Sequence, residues 1–232
     1  TQKDFRQRVK SVTLEKLNES KAKEVSLNAN HVASAIKGKV SVVSLNGFFQ
    51  LYKNGVYLKS HDQEIDSIIK THVGDKFGTY FSREVKNSLA ADVFKKPEEM
   101  NSHGNLLNLK NGMLCLKNMI LIPHDPSYLS LTQLPSDYDP SATYSKWLVF
   151  LEEMLGDDPL KIDILQEFYG YCLTPNTTQE KALMLLGDGA NGKSVALNVL
   201  QGIVGSSNSC SVPLEQFKKE EYNIDISAKS GD

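Results

Sequence analysis

The spacing of apolar positions changes several times along the chain, and each change marks an element. Residues 1–25 place Phe5, Val9 and Val12 on one side of an otherwise charged segment, the spacing of a helix. A second, short helix is predicted to end at Gly38, with Asn28 or Asn30 as its amino-terminal cap. The helical period then gives way to strand-like patterning. Val40, Val42 and Val43 predict a strand, and the runs 48–52 and 56–59 flank Asn54-Gly55, a turn pair suited to positive φ angles, so together they read as a hairpin. Ser60 and Gln63 have capping-box spacing, and Ile65, Ile68, Ile69 and His72 fall on one helical stripe that Gly74 stops. His72 reads as a core or rim residue. A further helix is predicted around residues 81–93.

The second half of the pattern opens with another hairpin signal, Asn111-Gly112 between Leu106, Leu107, Leu109 and Met113, Leu114, Leu116, continued by residues 119–122. Pro123, Pro126, Pro135 and Pro140 exclude regular helix or central strand there, which predicts an extended connector and a domain boundary. Trp147, Phe150, Leu151, Met154 and Leu155 follow the period of an amphipathic helix closed by Gly156. Asp158 can cap the next helix with Pro159 at its first position, and Leu160, Ile164, Leu165, Phe168 and Cys172 are its expected buried stripe. Residues 182–186 read as the short apolar run of a buried parallel strand, and residues 195–200 as a helix continuing to about Gly202.

Composition changes this picture little. The 232 residues are 40% hydrophobic and 23% charged with a mean hydropathy of -0.33, an ordinary globular balance. No apolar run approaches the roughly 18 residues of a membrane helix, and the start lacks the apolar segment of a signal peptide, so no membrane partner is expected. The missing initiator Met suggests an excised or processed chain. Cys115, Cys172 and Cys210 are scattered and odd in number, which suits free buried thiols in a reducing compartment rather than disulfides or zinc. The net charge of -2 conceals 17 Lys or Arg against 12 Asp or Glu in residues 1–100, and 9 against 16 beyond. Such an excess reads as a solvated surface unless the basic groups share one face.

One motif carries chemistry. Residues Gly187-Asp188-Gly189-Ala190-Asn191-Gly192-Lys193-Ser194 satisfy G-x-x-x-x-G-K-[ST], placed between a predicted strand and a predicted helix. The glycines let successive N–H groups turn inward as an anion nest at a helix amino-terminus, where the dipole favours phosphate. Lys193 would reach the β- and γ-phosphates of ATP, and the Ser194 hydroxyl would hold Mg2+. The competing readings are a chance match in a glycine-rich turn, or a loop that has lost its ligand. Asp137-Tyr138-Asp139 has the D-x-D spacing of a two-metal site, but the adjacent Pro140 favours a turn. Glu152-Glu153 and Asp157-Asp158 read as solvent-facing helix ends, and the five histidines are isolated from one another and from the cysteines.

The wording of residues 187–194 resembles the phage and plasmid primase-helicases of helicase superfamily three and their poxvirus relatives. Upstream, Asn108, Asn111-Gly112, His124, Pro126, Tyr138-Asp139-Pro140, Leu165-Gln166-Glu167 and Gly170-Tyr171-Cys172-Leu173 resemble the segment before the ATPase core in that family, in order and spacing. Residues 1–100 match only loosely. The resemblance implies an AAA+-like P-loop NTPase core in a hexameric ring that hydrolyses ATP and translocates on single-stranded DNA, in the host-cell cytoplasm if phage-encoded.

The expected fold is therefore α/β, in four parts: an α+β accessory region with hairpins at 1–125, a Pro-rich connector at 126–142, a helical pair at 143–176 and a partial P-loop core at 177–232. Only 39 residues follow Lys193, without an apolar strand ending in paired acids, and no Arg follows Arg83. The sequence reads as a motor cut short inside its core, expected to be a monomer or weak oligomer that binds ATP weakly and does not turn it over. Three functions are weighed: a fragment of a replicative DNA helicase, a non-catalytic oligomerisation or DNA-docking module, and a stand-alone P-loop kinase. The kinase would need an arginine-bearing lid and a second acidic strand, and neither is visible.

Overall fold

A computed structural model describes residues 28–213, so the helix expected over residues 1–25 lies outside the described residues. The described chain divides into two compact units, one of residues 28–51 and 59–95, the other of residues 52–58 and 96–213.

The first unit opens with α1 (Ala29–Lys37), whose cap is Asn28: its side-chain oxygen accepts the Asn30 N–H at 2.9 Å. Three strands follow along the chain, β1 (Val42–Leu45), β2 (Phe48–Lys53) and β3 (Val56–Lys59), in the order β1-β2-β3, the tip of the β2–β3 hairpin at residues 52–58 being counted with the second unit. The expected turn at Asn54-Gly55 is present, with φ of 49° and 94°. Asn46-Gly47, with φ of 50° and 81°, makes the same kind of turn between β1 and β2, a signal the sequence reading passed over. The remaining helices are α2 (Asp62–Val73) and α3 (Thr79–Asp92). Ile36, Ile65, Ile69, Val85 and Leu89 from the three helices are almost completely buried together.

The capping box expected from Ser60 and Gln63 does not form. The cap of α2 is His61, so Ser60 stands one position too early and its hydroxyl donates to Glu64 Oε2 at 2.9 Å. On the outer side of this unit Lys86 lies 3.0 Å from Asp66 and 3.6 Å from Asp62, and the Ser82 hydroxyl donates to Asp66. Burial pushes the Asp66 carboxyl up, but the Ser82 hydrogen bond and the Lys86 ammonium outweigh it and hold the group below its ordinary value.

In the second unit β4 (Leu106–Leu109), β5 (Gly112–Cys115) and β6 (Ile120–Ile122) form an antiparallel meander. Its first turn is Lys110-Asn111, since Gly112 already faces Leu109 in the ladder. Glycine is needed at 112 for another reason: a Cβ there would stand 2.7 Å from the Ile122 carbonyl oxygen. The proline-rich stretch follows the sheet closely, with Leu134 donating to Asn108 O at 2.8 Å and Lys110 to Ser136 O at 3.0 Å. Leu134 is buried with Leu107, Leu109 and Leu114. Three helices complete the unit: α4 (Ser145–Leu155), α5 (Pro159–Cys172) and α6 (Lys193–Val204). Gly156 ends α4 in the left-handed conformation, and Asp158 caps α5 by accepting from the Leu160 and Lys161 N–H groups.

The fold of the described residues is α+β, with two small antiparallel sheets and packed helices. This corrects the α/β expectation at residues 182–186, which join no ladder. Leu183 and Leu185 pack against the α4–α5 cluster, while Met184 and Leu186 are 76% and 83% exposed. The run keeps the alternation of a strand, but no described segment pairs with its N–H and C=O groups, and a parallel strand is defined by those neighbours. The stripe on α5 is also corrected: Leu165 and Tyr169 are buried, whereas Leu160 and Ile164 are 68% and 48% exposed. Apolar residues lie around much of this helix, so the period did not fix its phase. All three cysteines are free, but none is fully buried: Cys115 and Cys172 are half-buried and Cys210 is exposed.

Inside the second unit one amide ties distant segments together. Asn108 is 6% exposed, and its Nδ2 donates to Gly55 O at 2.9 Å, Thr132 O at 2.9 Å and Ser130 Oγ at 3.0 Å. Its Oδ1 accepts from His124 Nε2 at 3.1 Å and Gln133 Nε2 at 3.4 Å. Because His124 Nε2 also faces Leu109 O at 2.8 Å, that nitrogen carries the proton. Gly55 is required beside it, since a Cβ there would meet His124 and Gln133 at 2.7 and 2.8 Å. Asn111 is the exposed counterpart: its Oδ1 accepts from Tyr138 N and its Nδ2 donates to Tyr138 O, both at 3.0 Å.

Two outcomes follow for stability. Asn108→Ala strands several buried partners and is expected to cost about 3 kcal/mol in urea unfolding followed by circular dichroism, against about 1 kcal/mol for Asn111→Ala. Equal losses would contradict the account. For Asp66 the folded pKa is depressed, so its stabilisation is present above the unfolded value and is lost as pH falls through the folded one. The stability gap between wild type and Asp66→Asn should therefore narrow below about pH 4, and a gap independent of pH would rule this out.

Candidate functional site

The glycine-rich loop lies between the unpaired run 182–186 and α6, and its backbone uses conformations that glycine permits. Gly187 has φ 153°, Ala190 58° and Gly192 85°. Gly192 is the amino-terminal cap of α6, and no side chain bonds to the first turn there. The helix thus presents uncapped N–H groups at the loop, the arrangement that attracts anions. Lys193 and the exposed Ser194 occupy the first two helical positions.

Lys193 turns back over the loop. Its Nζ donates to Gly187 O at 2.9 Å, Asp188 O at 2.7 Å and Asn191 Oδ1 at 2.5 Å. The structure therefore brings together Gly187, Asp188, Asn191, Gly192 and Lys193 of the predicted set, with Ser194 beside them. Gly189 has open space around its Cα, so no contact requires glycine at that position.

Support for the loop comes from Trp147, Phe150 and Met154, expected only as a helix's apolar face, and from Tyr169, which the sequence pattern does not single out. A Cβ on Gly192 would stand 3.1 Å from Met154 and Phe150 of α4, so glycine lets the loop rest directly on that helix. Tyr169 of α5 donates its hydroxyl to Ala196 O in α6 at 2.5 Å. Its ring lies 5.9 Å from Trp147, which stacks on Phe150 at 5.3 Å. Burial pushes the Tyr169 hydroxyl up, and Cys172 adds to the effect, so it stays a neutral donor. Beside Lys193 an apolar groove of about 310 Å³ is lined by Met154, Ile164, Leu183, Leu185 and Asn191 among others. The spacing of Leu165 and Tyr169, four residues apart, was the available signal for Tyr169, but Phe168 and Cys172 offered an equally apolar alternative.

The other constellations are structural. Asp139 accepts from the Ser141 hydroxyl at 2.6 Å and N–H at 2.8 Å, which holds its carboxyl below the ordinary range and opens a turn at Pro140-Ser141, with Asp137 and Tyr138 preceding it. Among the described residues no group of three or more His, Cys, Asp or Glu could hold a metal ion, and no helix is long and apolar enough to cross a membrane. In the first unit Lys86 is taken up by Asp62 and Asp66, and Lys37 donates to Asp92 O at 3.2 Å.

Comparison with known proteins bears on the larger part of the chain. A family model described as "D5 N terminal like" matches residues 3–156. The chain belongs to this family, and with it carries a region related to the primase-helicases of DNA replication. The match takes in residues 3–100, which read only loosely from the sequence, and ends before the glycine-rich loop. No curated protein matches the chain.

The clamp between α5 and α6 has a measurable worth. Tyr169→Phe keeps the ring and removes one buried hydrogen bond, and is expected to cost about 1–1.5 kcal/mol in unfolding followed by Trp147 fluorescence. An unchanged midpoint would show that the hydroxyl does not hold the helix.

Proposed function

We propose that residues 187–194 bind the phosphates of ATP with Mg2+, and that the chain serves a replicative primase-helicase of a phage or mobile element. The observation that carries this reading is the loop itself. A glycine-dependent turn delivers Lys193 and uncapped N–H groups to one place at the start of α6, in a chain of the D5 N-terminal-like family.

The donor set suits the ligand. The uncapped first turn and the Lys193 ammonium are hydrogen-bond donors matched to phosphate oxygens, and the Ser194 hydroxyl is the oxygen that would hold the magnesium ion. The chemistry magnesium would supply there, when bound, is positive charge to offset that of the phosphates. Gly187, Asp188, Gly189, Ala190 and Asn191 contribute backbone to the nest, while Gly192 keeps the loop seated on α4. The α4–α5 pair positions the loop through Phe150, Met154 and the Tyr169 clamp.

The role proposed for this chain is nucleotide binding. ATP hydrolysis, translocation on single-stranded DNA and assembly into a six-membered ring in the host cytoplasm are proposed for the machine in which it acts. Calorimetry with ADP or ATP and magnesium tests the binding step. Lys193→Ala removes a charge-assisted contact and is expected to weaken affinity by at least about tenfold. Equal affinity in wild type and variant would refute the phosphate-binding role, and single-stranded DNA binding that persists without any nucleotide effect would favour a docking module instead.

A further inference from the structure

An ammonium group has three protons, and in this structure each has a protein acceptor. Lys193 Nζ donates to two loop carbonyls, Gly187 O and Asp188 O, and to the side-chain Oδ1 of Asn191 at 2.5 Å. The first two partners are backbone. The third is an amide on rotatable bonds, the one partner that can leave without moving the main chain.

The seat of Asn191 is shaped for it. A Cβ on Gly187 would overlap Asn191 Nδ2, so the amide lies directly against Gly187, where a larger residue would push it aside. The two ends of the motif are thereby joined across the loop, Asn191 Nδ2 against Gly187 and Asn191 Oδ1 on Lys193. We infer that Asn191 is a latch on the loop, its amide competing with phosphate for the Lys193 ammonium. This rests on the nucleotide reading above and adds a regulation of the same site. A neutral amide is a weaker partner for an ammonium than an anion is, so polyphosphate displaces it, while the empty loop stays closed on its own lysine.

The contact is tested first without any nucleotide, by acylating lysine amines in the ligand-free protein and reading each site by peptide mass spectrometry, with exposed Lys181 as internal reference. Asn191→Ala is expected to raise labelling of Lys193 relative to Lys181 several-fold. Asn191→Asp, which replaces the amide oxygen with a carboxylate, is expected to lower it. Unchanged or lower labelling in Asn191→Ala overturns the latch, whatever the loop binds. The second arm is calorimetry with magnesium pyrophosphate. Asn191→Ala is expected to bind about two- to tenfold more tightly than wild type, the worth of one hydrogen bond, and equal or weaker binding overturns the competition. If pyrophosphate binds neither protein while labelling still rises, the contact between Asn191 and Lys193 stands, but the nucleotide reading fails and the competition with it.

Discussion

A buried amide must find partners for every proton and lone pair or else lose more than its hydrogen bonds contribute, and much of the second unit is arranged to meet that demand at Asn108. Its Nδ2 reaches Gly55 at the hairpin tip and Thr132 and Ser130 in the proline-rich stretch, while its Oδ1 receives His124 and Gln133. Prolines deprive that stretch of regular secondary structure, so its backbone groups need specific partners. Asn108 O and Ser136 O serve the ladder-like contacts that a strand would otherwise make. A polar knot of this kind specifies one path for the chain in a way that a core of leucines does not, because a shifted register leaves several groups unpaired at once.

The loop region is held on different terms. Residues 182–186 have no ladder, and their contribution is one packed side, Leu183 and Leu185 on the α4–α5 cluster. The loop's fixed points are an aromatic and methionine floor under Gly192, the Tyr169 hydroxyl on Ala196 and a lysine folded onto its own turn. Packing on one face constrains position less than packing on two, and hydrogen bonds confined to a short loop can exchange without disturbing the helices around it. Local rearrangement is thus available at the loop and costly at Asn108.

Much of the architecture was legible because its signals are local. Asn54-Gly55 states a hairpin by its φ preference, Gly156 a left-handed helix end, and Asp158-Pro159 a helix start, and each needs only its immediate neighbours. Failures came where a neighbour far along the chain decides. The phase of α5 depends on Trp147 and Ala196, which Tyr169 meets and Phe168 does not. Asn111-Gly112 signalled a hairpin correctly but for a different reason, since the glycine answers the Ile122 carbonyl rather than the turn. Ser60 missed its box by one residue, an offset that spacing alone does not resolve. The glycine-rich turn before α6 was legible from eight consecutive residues; the lysine's partners were not, because they depend on how the backbone curls.

This separation also sorts the residues by which the chain resembles its family. Of the residues that carry the resemblance in the sequence, Asn108, Asn111, His124, Tyr138 and Asp139 are members of hydrogen-bond networks in the sheet and the proline-rich stretch, while residues 165–167 and 170–173 belong to α5 and its end. The five in the networks fall within the matched residues 3–156, and none belongs to the glycine-rich loop. The geometry gives each of these polar residues a structural partner within the second unit. The start of α6 differs: its first turn has no side-chain cap, and the Lys193 ammonium beside it is held by the loop's own oxygens rather than by the core.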